Sequence, residues 1–157
     1  MIAALFIAAP FAPVHANDGA PAITESRVEA FLSRTHDLVL NAMGFMGIPY
    51  KWGGTTPETG FDCSGFVQFV FRQAAGLLLP RSSFDQVLHG VSVTLDELQP
   101  GDLVFFNTLR APFSHVGIYI GENRFIHSPS RGKSVEIVDI TNAYWQKRYN
   151  GARRLPL

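Results

Sequence analysis

One cysteine, Cys63, stands in a chain of 157 residues, and that scarcity excludes an internal disulfide framework. Charge of one sign is not in excess either, because thirteen Lys and Arg balance thirteen Asp and Glu. No overall field therefore draws the chain to nucleic acid or to an anionic membrane. No apolar run is long enough to span a bilayer. Internal repeats, low-complexity tracts and a second domain are also missing. What remains, with 46% hydrophobic residues, reads as a globular domain with a substantial core.

Charge is absent altogether from residues 1–16, MIAALFIAAPFAPVHA. This stretch reads as the apolar part of a secretory signal, cleaved after Ala16; Pro10 and Pro13 argue against a buried helix. The first basic residue is Arg27, so the usual basic start of a signal is expected upstream of Met1. No cysteine lies near Ala16 to accept a lipid, and an exported protein without a lipid anchor is expected. Residues 17–25, with Gly19 and Pro21, read as a flexible leader, and residues 26–157 as one folded domain.

Helices are predicted first and strands afterwards. Ser26 and Glu29 have capping-box spacing, and Val28, Phe31, Leu32, Val39, Ala42, Met43 and Met46 recur at helical intervals until Gly47 and Pro49. A Gly-rich loop follows, then a second helix over Cys63–Ala75 that stops at Gly76. The stretch PRSSFDQVLHG predicts a short third helix, capped by Ser82 or Ser83 and closed by Gly90. After Pro100 the period changes to that of strands in DLVFF, HVGIYI, RFIHS and SVEIVDI. A short aromatic helix near AYWQKRY and a last strand near GARRLPL complete an α+β domain.

Asp62 stands at the N-cap of the second helix, able to accept from the backbone N–H of Ser64 or Gly65. Cys63 then falls on the positive end of the helix dipole, where a thiolate of lowered pKa is expected if a cation is also near. Gly65, one turn in, lets another element pack closely. A lone cysteine is more often a small buried core residue, so a partner imidazole decides the matter. His15 lies in the signal, and His36 and His89 read as surface residues. His115 and His127 each lie in an apolar strand, on either side of Gly121-Glu122-Asn123. If those three form the loop, Ile120 faces Arg124 and Gly117 faces His127, so His115 and His127 share a sheet face. Gly117 would then leave that face open. A two-residue loop would put the histidines on opposite faces. One Cys and two His lack zinc-ligand spacing, and RGKS at 131–134 lacks the rest of a phosphate loop. No metal or cofactor is expected.

In order, YKWGG, DCSGFV, LPRSS, LQPGDLVFF, SHVGIYIG and FIHSPS resemble the NlpC-type family of bacterial cell-wall cysteine peptidases, over residues 28–157. YWQKRYNGARR is similar to the Spr/MepS branch of murein DD-endopeptidases. The resemblance implies a papain-like α+β fold, with a helix N-terminus carrying the nucleophile against an antiparallel sheet. It implies Cys63 as nucleophile, His115 as general base and His127 as the residue that orients it. Tyr50, Asp62, Ser64, Arg81 and Ser82 are expected around the substrate and the oxyanion. The implied substrates are peptidoglycan stem peptides, cut at the D-Ala to meso-diaminopimelate cross-link, or alternatively between γ-D-Glu and diaminopimelate. The expected place is the periplasm or cell envelope of a bacterium, and the expected state is a monomer. A wall-binding module without activity would lack one of the three site residues, and a lipid-directed thiol acyltransferase would show an exposed apolar helix; neither sign is in the sequence.

Overall fold

The strand-rich half predicted after Pro100 forms a six-stranded antiparallel sheet in the computed structural model, which describes residues 25–109 and 111–157. The expected signal and leader lie outside these residues, apart from Glu25. In chain order the elements are α1 (Glu25–Met43), β1 (Thr55–Thr56), β2 (Gly60–Phe61), α2 (Cys63–Ala75), α3 (Ser83–Gln86) and β3 (Val91–Val93). A 3₁₀ turn at Leu95–Glu97 precedes β4 (Leu103–Phe106), β5 (His115–Gly121), β6 (Arg124–His127), β7 (Glu136–Asp139), α4 (Ala143–Gln146) and β8 (Tyr149–Arg154). The sheet order is β3-β8-β4-β5-β6-β7. Thus β4 to β7 form the predicted meander, and β8 returns to the free edge of β4, where it also pairs with β3.

Two cores lie on the two faces of this sheet. Alternation sends Leu103, Phe105, Val116, Ile118 and Ile126 into a cluster with Leu38 and Ala42 of α1 and Phe66, Val67, Val70 and Phe71 of α2. Val104, Phe106, Tyr119 and Phe125 join Ala152, Ile140 and the α4 residue Trp145 on the other face.

The second helix matches its prediction at both ends. Asp62 caps it by accepting from the Gly65 N–H at 2.7 Å. Gly76, at φ 65°, ends it with a left-handed cap whose N–H donates to the Arg72 carbonyl. Elsewhere the prediction needs correction. Helix α1 already includes Glu25, the first described residue, so Ser26 lies inside the helix, and it ends at Met43 rather than near Met46. Its buried face is Thr35, Leu38 and Ala42, while Val28, Leu32, Met43 and Met46 are exposed. The third helix is a single turn, and β3 and the β1–β2 hairpin were not foreseen. The last strand begins at Tyr149, before Gly151, and stops at Arg154.

The hairpin that carries the histidines also differs from prediction, with an informative outcome. Its tip is a two-residue turn, Glu122 at φ 52° and Asn123 at φ 57°, with Gly121 paired to Arg124. Positive φ at both central residues is the signature of a type I′ turn. Such a turn alone would separate the histidines. A register shift between Tyr119 and Gly121 takes up one residue, so Tyr119 pairs with Phe125 and Ile118 with Ile126. The register of a three-residue loop is thereby restored, and His115 and His127 share a face.

Candidate active site

Cys63 is held by a loop that leaves it little freedom. The Gly54 carbonyl accepts from the Asp62 N–H at 3.1 Å, and a Cβ on Gly65 would lie 2.1 Å from that same carbonyl oxygen. Only glycine at position 65 lets the loop lie flat on the first turn of α2. Gly54 is likewise buried against the Gly60 backbone, so it serves packing.

Asp62 is fully engaged. Its carboxylate accepts from the N–H groups of Gly65 (2.7 Å) and Gly53 (3.0 Å) and from the Arg81 guanidinium through Nη1 at 3.0 Å and Nη2 at 2.5 Å. Arg81 Nη1 also donates to Ser64 Oγ at 2.9 Å, and buried Gln86 donates to the Ser64 carbonyl at 3.1 Å. Ser82 caps α3, its hydroxyl accepting from the Asp85 N–H at 3.1 Å and donating to the Asp85 carboxylate at 2.6 Å. Tyr50 is half-buried, with burial first and then the charges of Cys63 and Asp62 pushing its phenol pKa up.

Tyr50, Asp62, Ser64, Arg81, Ser82 and His115 line one cleft of about 1120 Å³. Cys63 is half-buried in its wall. The N–H groups of Val116, Ser64 and Cys63 itself act on the thiol and favour its thiolate, yet burial and then the Asp62 charge outweigh them. The pKa is pushed up to about 11, opposite to the expected fall. Val116 follows His115 in β5, so the first turn of α2 meets the sheet at the start of this strand. The helix packs on one face and the histidines project from the other; they come together at that strand end.

His115 is buried, and burial lowers its pKa to about 4. Its Nε2 lies 2.7 Å from Nδ1 of His127, with the two rings perpendicular. Nδ1 of His115 is the ring nitrogen that this contact leaves uncommitted. His127 is fully buried behind His115 and does not line the cleft. Burial first, then His115 and Lys133, hold its pKa well below the usual range. Burial thus favours the neutral thiol and the neutral imidazoles at this site. The face above Gly117 is not open: a Cβ there would lie 2.6 Å from the Phe125 ring.

Trp145 was missed in the sequence, though its aromatic helix was seen. Its indole stacks on His115 at 5.7 Å and meets His127 and Phe125 edge-on at 5.0 and 5.1 Å. It closes the apolar side of the histidine pair. Glu136 was missed too; it pairs across from His127 in β7, a register that the 128–135 connection hides from sequence counting.

A cysteine that opens a capped helix, set against a strand-borne imidazole on an antiparallel sheet, defines the papain-like class of α+β folds. Residues 47–154 match the NlpC/P60 family, and the chain belongs to it. It is 49% identical over 109 residues to the Escherichia coli (strain K12) murein DD-endopeptidase MepS/murein LD-carboxypeptidase, covering 69% of this chain and 56% of that one. It is 46% identical over 118 residues to a γ-DL-glutamyl hydrolase of Bacillus subtilis (strain 168), covering 74% of this chain and 28% of that one. The crystal structure of an NlpC/P60 family protein from Bacillus cereus ATCC 10987 superposes with a TM-score of 0.71 at 41% identity, covering 78% of this chain and 40% of that chain. The chain thus spans about a quarter to just over half of the length of these curated relatives.

Proposed function

We propose that this protein is a peptidoglycan peptidase that hydrolyses amide bonds of stem peptides through Cys63, His115 and His127. The observation that carries this reading is the joint placement of Cys63 and His115 in one cleft, with Nε2 of His115 held 2.7 Å from His127. Burial disfavours either charge formed alone, so charge arises as a pair: Nδ1 of His115 takes the thiol proton as the thiolate attacks the substrate carbonyl. The Cys63 N–H, with the Tyr50 phenol on the same wall, is assigned to the developing oxyanion. His115 then gives its proton to the leaving amine, and a water activated by the same ring cleaves the thioester.

The proposed bond is the D-Ala to meso-diaminopimelate cross-link, a reading supported by the relation to a murein DD-endopeptidase. The relation to a γ-DL-glutamyl hydrolase favours a second reading, the γ-D-Glu to diaminopimelate bond. Such substrates lie outside the cytoplasm, and the uncharged first sixteen residues support export; we propose that the protein works there as a monomer. Mass spectrometry of purified cross-linked muropeptides after incubation with the protein tests the proposal. Conversion of dimers to monomers is expected, release of dipeptides would transfer the activity to the second bond, and unchanged muropeptides would overturn both readings.

A further inference from the structure

Among the described residues, His127 presents a buried polar atom without a hydrogen bond. Its ring is fully buried, its Nδ1 is used by His115, and its Nε2 has no hydrogen-bond partner among the described residues. Oε1 of Glu136 lies 3.8 Å away, on the strand partner of His127. The Lys133 Nζ lies 3.6 Å from the same oxygen. The Glu136 side chain is 40% exposed, so it is free to move the distance of about 1 Å that separates this gap from a hydrogen bond.

We infer that Glu136 is a positioning residue for the Cys63–His115–His127 set, holding the proton on His127 Nε2 and thereby fixing which nitrogen of His115 is bare. This rests on the function proposed above and deepens it. A single proton lies between His115 Nε2 and His127 Nδ1. If His115 donates it, His127 carries its own proton on Nε2, toward the carboxylate, and His115 Nδ1 is free to accept from the thiol. If His127 donates it instead, bare Nε2 faces a carboxylate and His115 Nδ1 is already protonated. Only the first arrangement can start the reaction, and the charge of Glu136 selects it.

The charged and titratable groups facing His127 are His115 from β5, Glu136 from β7 and Lys133 from the segment before β7. Helix α4 presents only the uncharged Trp145. Lys133 opposes an imidazolium here, and Glu136 favours one. Removing the carboxylate therefore lowers the pH at which the histidine pair protonates, and removing the Lys133 charge raises it.

The test compares Glu136→Ala, Glu136→Gln and Lys133→Met in the full chain, using iodoacetamide alkylation of Cys63 as a function of pH and muropeptide hydrolysis. Glu136→Ala is expected to slow alkylation at neutral pH about five-fold, to displace its acid limb to lower pH, and to lower kcat about ten-fold with KM nearly unchanged. Glu136→Gln, which keeps an acceptor without the charge, falls between. Lys133→Met moves alkylation the other way. A lowered melting temperature with an unchanged alkylation profile would show a merely structural residue and overturn the inference, as would Lys133→Met and Glu136→Ala shifting in the same direction. If alkylation responds as expected while the unaltered protein leaves every muropeptide intact, the proton relay stands and the assigned substrate falls.

Discussion

The two walls of the cleft solve opposite problems. On the α2 side, Asp62, Arg81 and Ser64 are tied into one hydrogen-bond network, and Arg81 is 43% exposed to solvent. On the β5 and β6 side, His115 and His127 are buried, enclosed by Trp145 and Phe125, and leave one ring nitrogen without a hydrogen-bond partner among the described residues. The first wall fixes the position of Cys63. The second, by burial, disfavours charge on its imidazoles. A satisfied network resists change, whereas a buried one with an unmet bond responds strongly to a single charge.

Substitutions should separate the two. If Cys63 is the nucleophile proposed, Cys63→Ala is expected to lower muropeptide hydrolysis by a factor of about 10³ or more while leaving the melting temperature near that of the unaltered protein, because the change removes a single half-buried sulfur atom. Hydrolysis by this variant at the normal rate would remove Cys63 from the reaction. Gly65→Ala attacks the other wall. A methyl group 2.1 Å from the Gly54 carbonyl oxygen must displace the backbone, and denaturant titration should show a loss of about 3 kcal/mol. A loss well below 1 kcal/mol would mean that the loop does not bind α2 as tightly as its hydrogen bonds suggest.

Acid should find the histidine wall next. His115 titrates at about 4 in the fold against an ordinary 6.5, so between those values the unfolded chain binds the additional proton. Stability is then full above pH ~6.5 and falls as the pH drops toward ~4, by about 2–3 kcal/mol. His127, held low by burial as well, adds to the same decline; melting temperatures across this range should show it, and His115→Gln should make it shallower without removing it. An equal decline in that variant would place the acid-sensitive group elsewhere.

What the sequence reveals follows how local each signal is. Helix α2 is legible from end to end, because cap, first turn and glycine stop lie within fourteen residues of one another. The helical period of α1 is legible but its buried face is not, since exposed Leu32 and Met43 carry the same hydropathy as buried Leu38. The pairing of Val91 with Arg154 joins distant segments, and nothing near either residue announces it. The shared face of His115 and His127 could be counted from the sequence, although the count assumed a three-residue turn where a tighter turn and a displaced residue do the same work. Trp145 and Glu136 reach the histidines only through the packing of α4 and β7, which no local pattern encodes.

That displaced residue decides which face His127 shows. A two-residue turn at Glu122 and Asn123 with no residue displaced would pair Ile120 with Phe125 and turn His127 toward α1 and α2. Removing the displaced residue itself would leave Gly121 beside Arg124 and Tyr119 beside Phe125, and the two imidazoles would stay on one side. What the turn must conserve is therefore the centring of the hairpin on Tyr119 and Phe125 rather than its length, however exposed Glu122 and Asn123 are to solvent.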